Sequence, residues 1–348
     1  MRHPIIQEDL AYITSADLPW ESLAGKTVLI TGANGFLPAY MVETLLYLNE
    51  QRRLDIRILA LVRSIAKAEL RFGGDTAAKN LIYIEQDVCR PILPPHPAQV
   101  IIHAASLASP KFYGLDPVGT LTPNVIGTYN LLEYARQNGS DGFLFFSSGE
   151  VYGEVRAEQI PTAETDYGYV DPMQVRSCYA ESKRLGETMC VSWNRQYGVP
   201  TKVVRPFHTY GPGMSLTDGR VFADFVADVV ARRDIFLKST GSARRSFCYL
   251  ADAVAGFFTV LFKGENAQAY NVSNDDGEIS VKDLAVLVAG LFPELGLKVI
   301  SQPESRPAGY LESQISRNKA DTSKIKALGW EPRVSLQEGF TRTIESYL

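Results

Sequence analysis

The sequence predicts an α/β fold in which a doubly wound parallel sheet is followed by a smaller, mixed α/β lobe at the C-terminal end. Over the first 210 residues, short apolar runs alternate with segments of helix length. The runs are apolar throughout, as strands buried on both faces require. The first run ends directly in a glycine turn, and beyond residue 211 the regular alternation loosens. A parallel sheet with helices on both sides accounts for the first part of the chain, and a separate lobe accounts for the second.

The predicted elements follow one another in strand–helix order. Strands are expected at residues 27–31, 57–62, 81–85, 100–104, 143–146 and 201–204. Helices are expected where apolar residues recur at helical spacing. These segments are Leu37 to Leu48, 118–137 and 178–196, and in the lobe the stretches near 219–232, 280–291 and 335–346.

Composition argues against several classes of protein. The chain has 348 residues, 45% of them hydrophobic, and Lys+Arg 35 against Asp+Glu 39 gives a net charge of -4. This balance argues against binding of nucleic acid or an acidic membrane through bulk positive charge. No apolar run reaches the roughly 18 residues of a membrane span, and acids interrupt the N-terminal stretch where a signal peptide needs an apolar core. Four scattered cysteines, with no CxxC pair or metal-ligand cluster, are typical of free thiols in a reducing cytosol. We therefore expect a cytoplasmic protein without a bound metal.

The glycine turn between the first strand and the first helix predicts a dinucleotide site. Residues 31–38 are Thr-Gly-Ala-Asn-Gly-Phe-Leu-Pro. Gly32 and Gly35 would let backbone N–H groups approach a pyrophosphate at the helix N-terminus. A purely structural turn is the alternative, but the strand before it and the helix after it favour the nucleotide. Pro38 replaces the usual third glycine and is tolerated in the first helical turn. The predicted contacts with the cofactor are Gly32, Asn34, Gly35, Phe36 and Leu37.

We accordingly divide the chain into a leader, a nucleotide-binding domain and a lobe. The polar leader covers residues 1–24, and its role is not predicted. The nucleotide-binding domain covers 25–210, and 243–265 return to it. The lobe is formed by 211–242 and 266–348.

The residues after the second and third strands bear on the choice of cofactor. Enzymes that use NAD usually carry an acid after the second strand for the ribose 2′-hydroxyl, and none stands here. Arg63 follows instead; it could pair with the 2′-phosphate of NADP or be a surface charge, so NAD and NADP both stay open. Asp87, beside Val88, could accept a hydrogen bond from the adenine amino group or be an ordinary turn aspartate.

Three further residues predict a catalytic centre. Tyr179 and Lys183 are four residues apart and therefore share one helical face. A nearby ammonium stabilises a phenolate and lowers the tyrosine pKa toward neutrality, as a general base requires. Ser148 follows the buried run 143–146 and so lies at the carboxyl end of a strand. A hydroxyl donor, a tyrosine base and a lysine beside a dinucleotide turn form a specific combination.

Other segments extend this pattern along most of the chain. They are His103–Pro110, Asp116–Pro117, Asn124–Thr128, Pro172, Arg176–Lys183, Arg205–Pro212, Asp218–Val221, Arg245–Tyr249 and Leu328–Pro332. From about residue 25 to the C-terminus the sequence resembles the extended short-chain dehydrogenases/reductases of the NAD-dependent epimerase/dehydratase family, which have a Rossmann-like fold. Within that family it is most similar to the UDP-glucuronate decarboxylases, also called UDP-xylose synthases.

The resemblance implies a reaction on a nucleotide-diphosphate sugar. Tyr179 would take the proton of the sugar 4-hydroxyl, Ser148 would position that oxygen, and Lys183 would hold the tyrosine ionised and bind the nicotinamide ribose. Hydride would pass from C4 to the cofactor and later return. From the 4-keto sugar, a 6-carboxylate would leave as carbon dioxide, a 6-hydroxyl could leave as water, or a rotated ring could take hydride on its other face.

The resemblance also implies further contacts for the cofactor and the substrate. Those for NAD(P) are Val88, Ala104, Ala105, Ser106, Asn124, Ser147 and Pro206, together with Tyr179 and Lys183. Those for the substrate are Lys111, Tyr113, Ser148, Arg176, His208, Arg220, Arg245 and Arg317. Arg245 matches a diphosphate-binding arginine of the family, and arginine suits phosphate or carboxylate. Surface salt bridges are the alternative for the arginines.

Two departures from the family leave the reaction and the nucleotide open. The 4,6-dehydratases of dTDP-glucose carry Thr-Asp-Glu where this chain has Ser148-Gly149-Glu150, and Gly149 has no acid to protonate a leaving hydroxyl. Carbon dioxide needs no such acid, because the enolate is stabilised by Tyr179 and Ser148. Decarboxylases and GDP-mannose dehydratases both show Thr-Ser-Glu there, so Gly149 does not decide among the reactions. Glu150 could shuttle a proton at C5 or C6 or be structural. His208 stands where the family usually has an asparagine that contacts the phosphates, and it could also be a core histidine.

The remaining predictions concern partners and a competing class. The helices near 118–137 and 178–197 resemble the pair that forms a four-helix dimer interface in this superfamily, so a homodimer is expected, although the same residues could pack within one monomer. A non-catalytic module that uses the dinucleotide fold as a sensor or scaffold is the alternative class. Such a module could dispense with the serine, tyrosine and lysine, all of which this chain retains.

Overall fold

The computed structural model describes residues 2–73, 79–92, 97–301 and 316–348. Its strands are β1 (Thr27–Thr31), β2 (Arg57–Val62), β3 (Leu81–Glu85), β4 (Val100–His103), β5 (Gly142–Phe146), β6 (Thr201–Pro206), β7 (His208–Tyr210), β8 (Ile235–Leu237), β9 (Arg244–Tyr249), β10 (Gln268–Val272), β11 (Glu278–Ser280), β12 (Val299–Ser301) and β13 (Arg317–Asn318). Its α-helices are α1 (Pro4–Thr14), α2 (Phe36–Arg52), α3 (Ile65–Phe72), α4 (Lys111–Leu115), α5 (Pro117–Thr122), α6 (Thr128–Asn138), α7 (Ser177–Tyr197), α8 (Val221–Val230), α9 (Leu250–Lys263), α10 (Val281–Gly290), α11 (Ser323–Lys326) and α12 (Leu336–Glu345). A π-helical turn, Pro123–Gly127, joins α5 to α6, and short 3₁₀ turns lie at Trp20–Leu23, Gly149–Tyr152, Ala157–Gln159, Asp275–Gly277 and Pro293–Leu295.

Seven of the described strands form the main sheet, in the order β10-β6-β5-β4-β1-β2-β3. Every pair in it is parallel, and all five residues of β1 are buried. Apolar clusters cover both faces of the sheet, which explains why its strands read as continuous apolar runs. The strand order reverses between β1 and β4, and in a doubly wound sheet ligands bind outside the carboxyl ends of the strands at this point. The predicted fold class is confirmed.

The described part of the lobe contains a smaller mixed sheet. β9 pairs antiparallel with β11 and parallel with β13 and β7, while β8 and β12 form a separate parallel pair. The lobe residues 302–315 lie outside the described residues.

Two of the predicted domain boundaries need correction. β9 was assigned to the returning segment 243–265 but lies in the lobe sheet, and β10 was assigned to the lobe but extends the main sheet beside β6. β10 belongs there because its last three residues are buried against the same core as β6. The α9 helix between them does pack on the main sheet, where Phe257 meets Phe146 with ring centroids 4.7 Å apart. The division into domain and lobe otherwise stays a prediction.

The leader forms an ordered helix whose contacts were not predicted. Tyr12 of α1 donates to Asp252 of α9 at 2.6 Å. Asp9 of α1 is buried and accepts hydrogen bonds from Tyr40 of α2, Tyr249 of β9 and Arg342 of α12. The leader therefore joins the nucleotide-binding domain to the lobe.

None of the described helices is both long enough and apolar enough to cross a membrane. No cluster of three or more His, Cys, Asp or Glu side chains that could hold a metal lies within the described ranges.

Candidate active site

The glycine turn brings backbone N–H groups to the carboxyl edge of the main sheet. Gly32 has φ +63°, and a Cβ atom there would lie 2.9 Å from the Cα of Ala105, so only glycine allows this approach. Gly35 caps α2 without any side-chain hydrogen bond. The first N–H groups of this 17-residue helix are therefore left to a ligand, and the dipole of the helix favours an anion.

A buried threonine–histidine pair holds the ends of β1 and β4 together. Thr31 Oγ1 accepts hydrogen bonds from the amides of Ala104 and Ala105, both at 3.2 Å, and lies 2.8 Å from His103 Nδ1. His103 Nε2 lies 3.2 Å from the carbonyl oxygen of Pro123, which can only accept, so Nε2 carries the proton and Nδ1 accepts from the threonine. Burial, with a smaller effect of Lys183, lowers the pKa of His103 to about 3 and keeps the ring neutral. Sequence reasoning assigned no role to this pair.

Two unpartnered polar atoms lie along the predicted path of the cofactor. Ser106 Oγ, just after β4, and Asn124 Oδ1, in the π-helical turn, are buried without a hydrogen-bond partner. The other end of the Asn124 amide donates to Thr120 O and Ser182 Oγ, both at 3.0 Å, which fixes its orientation. Together with the glycine turn, these atoms fit a dinucleotide with polar groups at both ends.

The other residues predicted to contact the cofactor lie around the turn and the strand ends or on the surface, and one lies in the core. Asn34, Phe36, Leu37, Ala104, Ala105 and Pro206 are half-buried around the turn and the strand ends. Val88 packs in the core, where a Cβ atom on Gly127 would lie 2.8 Å from it. Asp87 is exposed and accepts from the Cys89 amide at 2.9 Å, as a turn aspartate does, and Arg63 is exposed where β2 ends. Roles for these residues in cofactor binding stay predictions.

Tyr179 and Lys183 lie on one face of α7, beneath the carboxyl edge of β5. Ser148 hydrogen-bonds to the Tyr179 side chain, and Lys183 Nζ donates to the carbonyl of Phe146 at 2.5 Å. The ammonium lies 5.8 Å from the centroid of the Tyr179 ring. The three residues predicted to act together are therefore adjacent.

Burial shifts the pKa of both titratable groups. It raises the pKa of Tyr179 to about 12, although the hydrogen bond from Ser148 and the charge of Arg220 act in the opposite direction. It also lowers the pKa of Lys183 to about 7, against the opposing charge of Glu187. Desolvation is the largest cause of both shifts, and a lowering of the tyrosine pKa by Lys183 stays a prediction.

An acidic residue behind Lys183 was missed. Glu187, one turn further along α7, accepts from Arg205 Nε at 2.8 Å and Nη2 at 2.6 Å. It also accepts from the Ser147 hydroxyl, so that side chain is engaged away from the predicted cofactor contact. The spacing from Tyr179 to Lys183 to Glu187, four residues each time, was the available signal.

Aromatic and charged side chains surround the phenol on the substrate side. The Tyr113 ring stacks on the Tyr179 ring, with centroids 5.1 Å apart and planes 16° apart. The Arg176 guanidinium lies 5.9 Å from the Tyr113 centroid and donates to Glu150 at 3.2 Å. The structure thus places Glu150, Arg176 and Tyr113 around Tyr179, and their roles in substrate binding and catalysis stay predictions.

Two further arginines lie near His208. Arg220, just before α8, pairs with Asp218 through both ends of its guanidinium, and its charge opposes the rise that burial causes in the pKa of Tyr179. Arg245 on β9 donates to the Arg244 carbonyl at 2.8 Å. Burial, with smaller effects of Arg245 and Arg220, lowers the pKa of His208 to about 3. Arg220 therefore acts on both Tyr179 and His208, and the roles of these residues in substrate binding stay predictions.

The fold and this geometry agree with what comparison with known proteins finds. The model of the NAD dependent epimerase/dehydratase family matches residues 28–273. The chain belongs to this family. It is therefore an NAD-dependent enzyme of the epimerase and dehydratase class, and the predicted resemblance is confirmed.

Curated relatives of this epimerase/dehydratase family member cover nearly all of its length. UDP-glucuronic acid decarboxylase 6 from Arabidopsis thaliana is 34% identical over 322 residues, covering 92% of this chain and 88% of the relative. UDP-glucuronic acid decarboxylase 1 from Xenopus tropicalis is 33% identical over 325 residues, covering 92% of this chain and 72% of the relative. The fold is shared with the UDP-glucose 4-epimerase of Thermotoga maritima, solved with UDP-glucose, at a TM-score of 0.77 and 24% identity over 92% of this chain and 98% of that one.

Two predicted substrate residues of this family member have contacts outside the cluster around Tyr179. Lys111 donates to the carbonyl of Thr217 at 2.8 Å and is exposed. Arg317 forms a two-pronged ion pair with Glu278, at 2.6 and 3.0 Å. Among the contacts of the described residues, neither joins the cluster around Tyr179, so the salt-bridge alternative fits Arg317.

Proposed function

We propose that this protein oxidises C4 of a nucleotide-diphosphate sugar with bound NAD⁺ and releases carbon dioxide from a 6-carboxylate, as on UDP-glucuronate. The observation that carries the proposal is the adjacency of Ser148, Tyr179 and Lys183 at the carboxyl edge of the sheet that also holds the glycine turn. The decarboxylases among the relatives, at 34% identity, support the choice of substrate.

The residues of the turn and the neighbouring strand ends would hold the dinucleotide. The free N-terminus of α2 suits the pyrophosphate, and the unpartnered Ser106 and Asn124 atoms suit polar groups further along. When bound, NAD⁺ would accept the C4 hydride and return it after decarboxylation, and its positive charge would favour the phenolate. The burial that raises the pKa of Tyr179 to about 12 makes that added charge necessary for the phenol to act as a base.

Tyr179 and Ser148 both act on the oxygen on C4 of the sugar. The phenolate takes the hydroxyl proton as the hydride leaves, and the serine hydroxyl donates to the same oxygen. Loss of carbon dioxide from the 4-keto acid leaves an enolate, whose negative oxygen accepts hydrogen bonds from both side chains. A proton is then added at C5, the keto group takes back the hydride, and Tyr179 returns its proton to the oxygen.

Glu150, whose charge acts on Tyr179, is the acid that would carry the proton to C5. Its carboxylate is half-buried and paired with Arg176, whose guanidinium also lies over Tyr113. Arg176 can bind one carboxylate at a time through a given edge, so a sugar carboxylate that approaches it would release Glu150 to carry the proton.

The wall beside Ser148 disfavours loss of water. A Cβ atom on Gly149 would lie 3.2 Å from three atoms of the Phe207 ring, so an aromatic face occupies the space where the dTDP-glucose 4,6-dehydratases carry an acid. Without that acid, a 6-hydroxyl has no proton donor at this position.

Incubation with UDP-glucuronate and NAD⁺, followed by mass spectrometry of the nucleotide sugar, tests the proposal. Loss of one carbon dioxide is expected, with the NAD⁺ content unchanged. Tyr179→Phe should abolish the loss, whereas Tyr169→Phe, at a tyrosine with 67% exposure, should retain it. An unchanged mass with a new anomeric NMR pattern would mean epimerisation, loss of water would mean dehydration, and inertness toward all nucleotide sugars would refute the whole assignment.

We further infer that the enzyme works as a homodimer. An apolar stripe on α5, α6, α7 and the turn between α5 and α6 is 38–69% exposed: Val118, Leu121, Ile126, Tyr129, Leu185, Val191 and Tyr197. Replacing Leu185 and Val191 by aspartate should halve the mass measured by light scattering, and Leu70→Asp, on an exposed leucine of α3, should leave it unchanged. A monomeric wild type would refute the dimer.

The four free cysteines support a reducing, cytosolic setting.

A further inference from the structure

Glu187 links the helix of the active site to two neighbouring strands. It lies on α7 one turn beyond Lys183, and its carboxylate accepts hydrogen bonds from Arg205 of β6 at 2.8 and 2.6 Å. The same carboxylate accepts from the Ser147 hydroxyl, just after β5, at 2.5 Å. One side chain of α7 therefore joins the helix to the carboxyl ends of both β5 and β6.

Ser147 lies between the two residues that contact the active-site tyrosine and lysine. The carbonyl of Phe146, before it, accepts from the lysine, and the hydroxyl of Ser148, after it, hydrogen-bonds to the tyrosine. The amide of Ser147 donates to the Val204 carbonyl of β6 at 2.8 Å, and its hydroxyl donates to Glu187. The position of Ser147 therefore sets the positions of both neighbours.

Arg205 makes hydrogen bonds through all three nitrogens of its guanidinium. Nη1 donates to the Tyr152 hydroxyl at 2.8 Å and to the carbonyl of Glu164 at 3.0 Å, while Nε and Nη2 bind Glu187. The Arg205 side chain is 2% exposed and that of Glu187 is 13% exposed. A buried ion pair is weak evidence for stability, because desolvation offsets the attraction between the charges. Its place beside the end of β5 indicates a role in geometry instead.

We propose that Glu187, anchored by Arg205, is a positioning residue for the transfer of hydride from the sugar. It acts through Ser147, which holds the end of β5 where its two neighbours contact the active-site tyrosine and lysine. This inference rests on the proposed function. Glu187 and Arg205 lie behind the groups that would touch the substrate and the cofactor, so they act on geometry alone. A displacement of about 1 Å in such groups can slow a reaction about a hundredfold.

A double substitution, Glu187→Leu with Arg205→Met, tests this role because it removes both charges together. Replacing a buried ion pair by apolar residues of similar volume is often neutral for stability, whereas removing one partner leaves an unpaired charge in the core. The double variant should therefore keep its Tm and its NAD content. On UDP-glucuronate its kcat should fall about ten- to a hundredfold, with KM within about threefold of the wild type.

Two single variants isolate the contact and control for the helix. Ser147→Ala breaks only the link between Glu187 and β5 and leaves the ion pair in place, so it should reproduce most of the loss in kcat without a loss of NAD affinity. Glu181→Gln removes a charge from the same helix, at a side chain that is 37% exposed and paired with Arg184. It should keep kcat within about twofold of the wild type.

Single-turnover measurements separate misplaced groups from a smaller amount of active protein. With the enzyme in saturating excess over UDP-glucuronate, an inactive fraction lowers the amplitude of carbon dioxide release, whereas misplaced groups lower its rate constant. We expect the rate constant to fall in the double variant and in Ser147→Ala. A wild-type rate constant in Ser147→Ala would overturn the positioning role, and a loss of NAD affinity alone would make Ser147 a cofactor contact instead.

A crystal structure of Ser147→Ala keeps the two proposals apart. If the wild type releases no carbon dioxide from UDP-glucuronate, the proposed function fails, and the structure of the variant still tests the positioning. We expect Lys183 Nζ to move beyond about 3.2 Å from the Phe146 carbonyl oxygen. An unchanged contact in the variant would overturn the inference, whatever the substrate.

Discussion

Replacing Asp9 by alanine tests whether the leader helix holds the nucleotide-binding domain and the lobe together. Asp9 is 2% exposed and accepts from Tyr249 at 2.8 Å, Tyr40 at 3.1 Å and Arg342 at 2.8 Å. These three donors belong to β9, α2 and α12, so one carboxylate on α1 connects both parts of the molecule.

The size of the effect follows from what the variant leaves behind. Burial raises the pKa of Asp9 despite its three donors, so the ionised carboxylate is held at a desolvation cost. The variant would remove that cost but leave the two tyrosine hydroxyls without their carboxylate acceptor, and Arg342 would keep only the exposed Glu8 and the Ile5 carbonyl as acceptors. Removing one partner of a buried pair costs about 3–5 kcal/mol of the free energy of unfolding. At about 2–4 °C per kcal/mol, the Tm should fall by roughly 6–20 °C.

The control uses the same arginine with an exposed partner. Glu8 also pairs with Arg342, at 2.9 Å, but its side chain is 65% exposed. Glu8→Ala should therefore cost less than about 1 kcal/mol. Thermal and urea unfolding of both variants, at matched NAD content, measures the difference. Equal and small losses from Asp9→Ala and Glu8→Ala would refute the reasoning, because the buried acceptor would then carry no special weight.

Three further predictions concern the site. Because the pKa of Lys183 is about 7 in the fold against 10.5 in a free chain, the unfolded state holds a proton that the folded state lacks between these values, and stability gains about 1.4 kcal/mol per pH unit there from this group. The Lys183→Met variant should lack this part of the rise in the free energy of unfolding, measured with urea on the NAD-free protein between about pH 7.5 and 9.5. Equal slopes of this free energy against pH in the wild type and the variant would contradict the pKa shift. Gly149→Ala should lower kcat roughly tenfold, since its methyl group would press on the Phe207 ring, and adding Phe207→Leu should restore part of the loss; a fully active single variant would show that the ring yields freely. Arg63→Ala should leave the NAD affinity, measured by fluorescence titration, within about twofold because Arg63 is exposed; a large loss of NADP affinity alone would identify it as a 2′-phosphate contact.

The main sheet could be predicted because its strands are buried on both faces and appear as apolar runs in the sequence. β10 was missed because its place is decided by pairing with β6, more than 60 residues earlier, and no local pattern reports that pairing. The leader helix was missed for another reason. Leu10 and Ile13 of α1 are fully buried, but acids interrupt the short segment, and its apolar spacing was too brief to indicate a helix.

The shared helical face of Tyr179 and Lys183 was equally predictable from their spacing. The ion pairs of the surrounding arginines were not. The four-residue interval from Tyr179 to Lys183 requires only helical geometry. The choice of carboxylate partner for each arginine depends on strand register. β11 and β13 flank β9, and this pairing places Glu278 beside Arg317. Arg220 and Arg245, from similar sequence contexts, instead face His208.

The protonation of the site could not be predicted because burial is a property of the whole fold. Desolvation is the largest cause of the shifts at Tyr179, Lys183 and His208, and in each case it favours the neutral form. The positive charge of NAD⁺ would favour the phenolate, so binding of NAD⁺ should shift the titration of Tyr179 toward lower pH.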